Sequence, residues 1–165
     1  DSGNTRDQTS TAMRAVAPHG FLGWGNVSTL GFSLAAAMAA KLAYPDRQCV
    51  NITGDAGLNY MMGNFEPLVH YRIGVTTVHI NNNGFSGYGP GFWGRGHDPY
   101  TWEVTDHETT RAAEAVSCLG YHAERVTIPS EIIPSIERAL EANKNGQPAF
   151  LEYICSRYPI MGSWA

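Results

Sequence analysis

The sequence predicts an α/β protein in which helices cover both faces of a mainly parallel β-sheet, giving three layers. Short runs rich in β-branched residues alternate with segments long enough to form helices, which is the pattern of parallel α/β folds. Several of these runs end in clusters of glycine, aspartate or asparagine. With 165 residues, of which 43% are hydrophobic, the chain is long enough to form one domain with a buried core.

Composition and charge exclude several classes of function. The formal net charge is −4 and no basic cluster interrupts it, which argues against a nucleic-acid-binding surface. The sequence shows no apolar run of membrane-spanning length, and we expect neither a membrane-spanning segment nor a secretory leader. Three scattered cysteines predict free thiols and a cytoplasmic location. Low charge with 18 glycines and many aromatic residues predicts that much of the surface meets another chain.

The first third of the chain holds one clear helix. Residues Asp1 to Thr11 are polar without periodicity, and we expect a loop there. An alanine-rich stretch from Leu30 to Leu42 predicts a helix, with Ser28 or Thr29 as its N-cap and Tyr44-Pro45-Asp46 as its end.

The central stretch, residues 51–89, organises the prediction. We expect a strand at Gln48–Thr53 followed by a loop at Gly54–Gly57. A helix at Met61–Tyr71 comes next, with Pro67 near its first turn. A second strand at Val75–Ile80 then leads into a loop at Asn81–Gly84. Ligands of open parallel sheets bind beyond the carboxyl ends of the strands, where two such loops converge. His70 and His79 are single histidines beside strands, and we assign them no function.

The remainder of the chain continues the alternation of helices and strands. We expect a helix at Asp106–Leu119, a strand at His122–Ile128, a helix that starts at Pro129-Ser130 and runs to Asn143, and a last strand at Ala149–Cys155. The intervening residues 85–102 are rich in glycine and aromatic residues. Two interpretations of this segment stay open. Either it is an ordinary surface loop, or it contacts a substrate or a partner chain through Tyr88, Phe92, Trp93 and Arg95.

The chemistry of the two central loops indicates a metal–diphosphate site. Asp55 offers a hard anionic oxygen, Asn82 a neutral carbonyl oxygen, and Gly84 its backbone carbonyl. A few hard oxygens, completed by phosphate and water, suit Mg²⁺ better than zinc or copper. Gly54 and Gly57 allow the backbone to approach closely, so that N–H groups face a phosphate.

These residues resemble a known motif. Gly54-Asp55-Ala56-Gly57, followed by Asn82 as the second residue of an Asn-Asn pair, is similar to the diphosphate motif of thiamine-diphosphate enzymes. The pattern is nearest to the acetolactate synthase, benzoylformate decarboxylase and oxalyl-CoA decarboxylase group. Ala56 departs from it, because many members have a second glycine there. The resemblance implies the thiamine-diphosphate-binding fold, with thiamine diphosphate and Mg²⁺ as cofactors.

The resemblance also implies roles for individual residues. Asp55, Asn82 and Gly84 correspond to the metal ligands. The cofactor-binding positions are Asn4, Ser28, Leu30, Ala56, Gly57, Phe85 and Ser86. Among these, Ser28 presents its backbone carbonyl to the 4′-amino group of the aminopyrimidine. Leu30 takes a catalytic part as the apolar wedge that holds the cofactor bent.

The resemblance covers residues 1–165 as one diphosphate-binding domain, without the family's first strand and without its pyrimidine-binding domain. That second domain carries the glutamate that activates the cofactor, and no glutamate here matches it. We therefore expect a lyase or transferase that decarboxylates or carboligates 2-keto acids or acyl substrates. Activity requires a pyrimidine-binding domain or subunit, in a dimer or tetramer.

Two other functions stay open from the sequence. One is a non-catalytic phosphate- or nucleotide-binding module that uses the same loops. The other is a structural subunit that keeps the fold and has lost the cofactor. The intact pair of Asp55 and Asn82 argues against the structural subunit. The absence of lysine or arginine beside the glycine loops argues against a conventional nucleotide triphosphate site.

Overall fold

A four-stranded parallel sheet forms the centre of the computed structural model, which describes residues 1–84 and 108–156. Its strands are β1 (Cys49–Gly54), β2 (Val75–Asn81), β3 (His122–Val126) and β4 (Ala149–Ile154). They lie in the order β1-β2-β4-β3, and every neighbouring pair is parallel. The carboxyl ends of all four strands therefore lie along one edge.

Helices pack on the two faces of this sheet and complete three layers. They are α1 (Asn4–Ala12), α2 (Phe32–Ala43), α3 (Asp55–Met61), α4 (Glu66–His70), α5 (Ala112–Ser117) and α6 (Ile132–Lys144), with 3₁₀ turns at Met62–Asn64 and Pro129–Glu131. In the described ranges, no helix combines the length and the apolar character needed to span a bilayer. The arrangement confirms the predicted α/β fold.

The core consists of two apolar clusters, one on each face of the sheet. The larger joins side chains of α2 to α5 to Val75 and Phe150 of the sheet, with Phe65 packed against Phe150 at a ring-centroid distance of 5.8 Å. The smaller joins α6 to the opposite face, through Ala139 and Leu151. The central strands β2 and β4 are buried on both faces, which explains why their sequences show short apolar runs instead of strict alternation.

The first helix was not expected. Residues Asp1 to Thr11 are predicted to form a loop, but Asn4–Ala12 is helical. The prediction is wrong because α1 buries none of its residues and so has no apolar face for the sequence to reveal. Its hydroxyl groups bond within the helix, as Thr9 Oγ1 does to the Thr5 carbonyl at 2.7 Å.

The start of α2 also differs from the prediction. Neither Ser28 nor Thr29 caps this helix; Gly31 occupies the N-cap position with φ of 81°. The carboxylate of Asp1 accepts the backbone N–H groups of Gly31 at 3.1 Å and Ser33 at 3.2 Å. A carboxylate thus caps the helix from 30 residues upstream, a pairing that local sequence rules do not predict.

Three further boundaries differ. Asp55–Gly57 is not a loop but the first turn of α3, and the predicted helix at Met61–Tyr71 is divided into the end of α3, a 3₁₀ turn and α4. Pro67 does lie in the first turn of α4, as predicted. The helix expected from Asp106 begins at Ala112, although Asp106 itself lies outside the described residues.

We predict that Gly74→Ala destabilises the fold and that Gly63→Ala does not. A Cβ atom on Gly74, just before β2, would lie 2.4 Å from the backbone oxygen of Asn143 at the end of α6, whereas a Cβ on Gly63 meets nothing within 4 Å. Backbone atoms cannot turn aside, so the loss in free energy of unfolding is expected at roughly 1–3 kcal/mol. Urea unfolding of both variants measures this loss. Equal stabilities would contradict the close packing of Gly74 against the end of α6.

Candidate functional site

The carboxylate of Asp55 joins the carboxyl ends of β1 and β2. Asp55 is the first residue of α3, directly after β1, and only 1% of it is exposed. Its Oδ2 accepts the backbone N–H groups of Asn82 at 3.3 Å and Gly84 at 3.1 Å. Its Oδ1 lies 2.9 Å from Nε2 of His79 on β2. One buried carboxylate therefore holds together the two loops that the sequence singles out.

The first turn of α3 presents backbone N–H groups beside this carboxylate. The opening N–H groups of a helix, here those of Ala56 and Gly57, have no acceptor within the helix, and the helix dipole makes this end positive. Glycine is required at position 57, because a Cβ there would lie 2.5 Å from Thr53 Oγ1. The turn is thus packed closely from below at Gly57.

The turn that carries Ser28 and Leu30 faces the same edge. Ser28 adopts φ of 57°, in the left-handed region. The Ser2 hydroxyl donates to the Ser28 carbonyl at 3.1 Å and lies 2.7 Å from the Ser28 hydroxyl. Ser2 therefore fixes the direction of this carbonyl, and the capped Gly31 fixes the residue that follows Leu30.

A cavity of about 890 Å³ opens where these elements meet. Eight of the ten predicted site residues line it: Asn4, Ser28, Leu30, Asp55, Ala56, Gly57, Asn82 and Gly84. The other two, Phe85 and Ser86, lie outside the described residues, as do Tyr88, Phe92, Trp93 and Arg95. The cavity is within the size range of small-molecule sites. The fold thus brings together predicted residues from four separate segments.

Asn4 contributes an unpaired polar atom to this cavity. Its Oδ1 is buried and has no hydrogen-bond partner among the residues that the structure describes. Buried polar atoms are almost always satisfied, so an unpaired one on a cavity wall marks a place where a ligand can bind. Rotation of the amide exchanges its oxygen and nitrogen, so Asn4 can either accept a hydrogen bond or donate one to a phosphate oxygen.

Four residues near the site were missed by the sequence analysis: Asp1, His79, Asn81 and Glu152. Each acts through a partner distant in sequence, which no local motif reports. His79 becomes recognisable only once the β1–β2 register is known, because that register pairs it with Thr53, two residues before Asp55. Positions two apart in a strand share a face.

Glu152 is a fully buried carboxylate that supports the loop after β2. Its Oε1 accepts from Asn81 Nδ2 at 2.8 Å and lies 3.7 Å from Arg125 Nη1, while Oε2 accepts the N–H of Ala113 at 3.1 Å. Asn81 in turn accepts the N–H of Asn83 through Oδ1 at 3.2 Å. This last bond forms an Asx turn that shapes the segment between Asn82 and Gly84.

The charge of Asp55 also affects a neighbouring thiol. Cys155 follows β4 and lines the cavity. Burial raises the pKa of its thiol, and the negative charge of Asp55 raises that pKa further. Cys155 is therefore held in its protonated, unreactive form at neutral pH.

The donor chemistry fits Mg²⁺ with a diphosphate. The described residues contain no group of three or more histidine, cysteine, aspartate or glutamate side chains able to hold a metal. A cation here would depend on one carboxylate, an amide oxygen and a backbone carbonyl, with phosphate and water completing the shell. Mg²⁺ is bound in this way, through one or two carboxylates plus substrate phosphates. The N–H groups at the start of α3 suit the phosphates themselves.

Comparisons with known proteins find relatives among thiamine pyrophosphate enzymes. The family model for the C-terminal TPP-binding domain of thiamine pyrophosphate enzymes matches residues 1–153. The acetolactate synthase large subunit of Mycobacterium tuberculosis is 31% identical over 160 residues, which cover 93% of this chain and 27% of that protein. The 2-hydroxyacyl-CoA lyase of Oryza sativa is 28% identical over 167 residues, covering 96% of this chain and 27% of that protein.

A solved structure has the same fold. The thiamine diphosphate-dependent 4-hydroxybenzoylformate decarboxylase of Rhodococcus jostii superposes with a TM-score of 0.63 at 23% identity. The match covers 80% of this chain and 24% of that one. The chain therefore spans about a quarter of the length of the proteins it resembles.

We predict that Glu152→Gln lowers stability far more than Glu141→Gln. In the variant, the side-chain NH₂ group faces either the Asn81 amide or the Ala113 N–H, both of which donate to Glu152 in the wild type. The substitution also removes the negative charge that faces Arg125. We therefore expect the free energy of unfolding to fall by about 3 kcal/mol. Glu141 forms an exposed ion pair with Lys144, worth at most about 1 kcal/mol. Chemical denaturation of the two variants compares them, and similar losses would show that the Glu152 network does not stabilise the sheet.

Proposed function

The chain belongs to the family of C-terminal TPP-binding domains of thiamine pyrophosphate enzymes, and we propose that it holds the diphosphate end of thiamine diphosphate through a bound Mg²⁺. The observation that carries this proposal is the position of Asp55. A buried carboxylate at the joint of two strand ends, beside the opening N–H groups of α3, provides both a cation ligand and an anion cradle.

In this proposal Asp55, Asn82 and Gly84 are the metal ligands. Asp55 supplies the charge, Asn82 its side-chain oxygen and Gly84 its backbone carbonyl. The N–H groups of Ala56 and Gly57 bind phosphate oxygens, since they open α3 and have no helical acceptors. Phe85 and Ser86 continue the diphosphate contacts, and Asn4 adds its amide from α1.

The aminopyrimidine end of the cofactor lies against the turn before α2. Leu30 is the apolar wedge that keeps the cofactor bent, which is the catalytic part that we assign to this chain. The Ser28 carbonyl, oriented by the Ser2 hydroxyl, accepts the 4′-amino group. When bound, the cofactor supplies the carbanion and electron sink for making or breaking a carbon–carbon bond next to a carbonyl.

The complete enzyme in this proposal contains more than this chain. A pyrimidine-binding domain or subunit supplies the activating glutamate, and a dimer or tetramer encloses the cofactor. The substrates are 2-keto acids or acyl compounds, and the reaction is a decarboxylation or carboligation of the acetolactate synthase type. The cysteines Cys49, Cys118 and Cys155 are free thiols, which agrees with our placement of the protein in the cytoplasm.

We predict that Asp55→Ala abolishes the Mg²⁺-dependent binding of thiamine diphosphate. Without the carboxylate the cation loses its only anionic protein ligand in this scheme, so Mg²⁺ no longer strengthens cofactor binding. Calorimetric titration with thiamine diphosphate, with and without Mg²⁺, measures the effect. Asp46→Ala is the matched control, because Asp46 is an exposed carboxylate in the turn between α2 and β1.

Wild-type cofactor binding in the Asp55 variant would overturn this site. Titration with ATP in place of thiamine diphosphate distinguishes the proposed cofactor site from a non-catalytic nucleotide-binding module. Tighter binding of ATP would favour a nucleotide-binding module, whereas selective, Mg²⁺-dependent binding of thiamine diphosphate supports the enzyme.

We predict that Leu30→Ala weakens binding of thiamine diphosphate and leaves binding of inorganic pyrophosphate unchanged. Pyrophosphate binds to the metal and to the N–H groups at the start of α3, and neither contact involves Leu30. Losing the apolar contact is expected to cost about tenfold in affinity for the whole cofactor, since removal of buried methylene groups costs roughly 1–3 kcal/mol. Calorimetry with both ligands and Mg²⁺ tests this, and equal losses for the two ligands would rule out a wedge role.

A further inference from the structure

Asn81, the last residue of β2, carries a buried amide that the proposed function does not use. Only 1% of Asn81 is exposed, and its partner Glu152 on β4 is fully buried. The amide Nδ2 donates to Glu152 Oε1 at 2.8 Å, and the amide Oδ1 accepts the backbone N–H of Asn83 at 3.2 Å. This side chain therefore links the interior of the sheet to the loop that follows β2.

The two partners of Asn81 allow only one orientation of its amide. The carboxylate of Glu152 faces the guanidinium of Arg125 at 3.7 Å and accepts the N–H of Ala113 at 3.1 Å. A carboxylate in these contacts acts as an acceptor, whereas a backbone N–H can only donate. The NH₂ group of Asn81 must therefore point to the sheet and its oxygen to the loop. Glu152 is itself held in place, because its second oxygen is bonded to the start of α5.

The loop conformation next to this amide is one that most residues avoid. Asn83 has φ of 64°, in the left-handed region, where a Cβ atom lies too close to the following carbonyl oxygen. The hydrogen bond from its N–H to the Asn81 side chain closes an Asx turn around this residue and so supports it. Asn83 stands between Asn82 and Gly84, so its backbone angles set the directions in which both neighbours face.

We propose that Asn81 and Glu152 are positioning residues that hold the left-handed turn after β2 and thereby aim the metal-binding oxygens of this loop. The inference rests on the proposed function, in which Asn82 and Gly84 bind the cation. Groups that orient metal ligands without touching the metal commonly change its affinity by about tenfold or more. The charge of Glu152 thus acts on the metal through the orientation of one amide.

The first test compares two substitutions of Asn83 that differ mainly in backbone freedom. Asn83→Gly and Asn83→Ala both remove the side-chain amide, but glycine enters the left-handed region freely whereas alanine resists it. Calorimetry measures the binding of thiamine diphosphate to the full chain with and without Mg²⁺. We expect Mg²⁺ to strengthen binding at least about fivefold more in Asn83→Gly than in Asn83→Ala. Equal strengthening in the two variants would overturn the inference.

The second test removes the amide that supports the turn. Asn81→Leu keeps the approximate shape of the side chain and breaks both of its hydrogen bonds. Thr76→Val is the matched control, because it breaks a buried hydrogen bond near the amino end of the same strand, between Thr76 Oγ1 and Asn143 Oδ1 at 2.7 Å. Both variants lose stability, but we expect the strengthening by Mg²⁺ to fall, by about tenfold or more, only in Asn81→Leu. A merely structural role for Asn81 would leave the strengthening equal in the two variants and would contradict the proposal.

A double variant provides the rescue experiment. Glycine takes up the left-handed turn with less support, so adding Asn83→Gly to Asn81→Leu is expected to restore part of the strengthening by Mg²⁺. Absence of any recovery would show that the amide does not act through the turn at Asn83. If Asn81→Leu does not fold, the comparison of Asn83→Gly with Asn83→Ala decides, since that residue is only half-buried.

Hydrogen exchange of the chain without cofactor distinguishes failure of this inference from failure of the proposed function. NMR is expected to show the N–H of Asn83 exchanging at least about tenfold faster in Asn81→Leu than in Thr76→Val. Equal exchange overturns the inference, whatever the chain binds. Unchanged strengthening by Mg²⁺ in Asn81→Leu, in a chain whose wild type binds the cofactor with Mg²⁺, also overturns the inference alone. A wild-type chain whose cofactor binding is independent of Mg²⁺ overturns the proposed function and the inference with it.

Discussion

The arrangement of the site depends on the buried carboxylate of Asp55. Removing a charge from water costs several kcal/mol unless the protein replaces the lost hydrogen bonds. Here the replacements come from the imidazole of β2 and from backbone N–H groups of the loop after it. The register of β1 against β2 and the conformation of that loop are therefore coupled to one side chain. In the proposed function, the same requirement places a negative charge where it can bind a diphosphate-bound cation.

Long-range polar contacts support the rest of the edge in the same way. Asp1 caps α2 and so fixes the turn that carries Leu30. Glu152 on β4 holds Asn81, which shapes the loop around Asn82. These polar groups, of which Asn81 and Glu152 are buried, support the edge formed by the carboxyl ends of the strands, while the apolar clusters occupy the two faces of the sheet. The apolar clusters thus stabilise the sheet from its two faces, while the polar contacts fix the geometry of the site and add to stability.

The sequence predicts the parts of this structure that follow from local pattern. The parallel sheet and the meeting of Asp55 with the Asn82 loop follow from β-branched runs that end in loops, because parallel strands present their carboxyl ends at one edge. The sequence does not predict α1, whose polar residues leave no periodic trace, nor the capping of α2 by Asp1. His79 was given no function, since a histidine within a strand does not reveal its partner until the register of the sheet is known.

The central claim is that Asp55 and the loop after β2 bind a metal-bound diphosphate. Crystals of the chain grown with thiamine diphosphate and Mn²⁺ in place of Mg²⁺ test it directly by anomalous scattering. The account predicts one manganese peak about 2.1 Å from Asp55 Oδ2 and from the side-chain oxygen of Asn82, with the diphosphate at the start of α3. A manganese peak away from this pair, or a diphosphate bound without contact to α3, would contradict it.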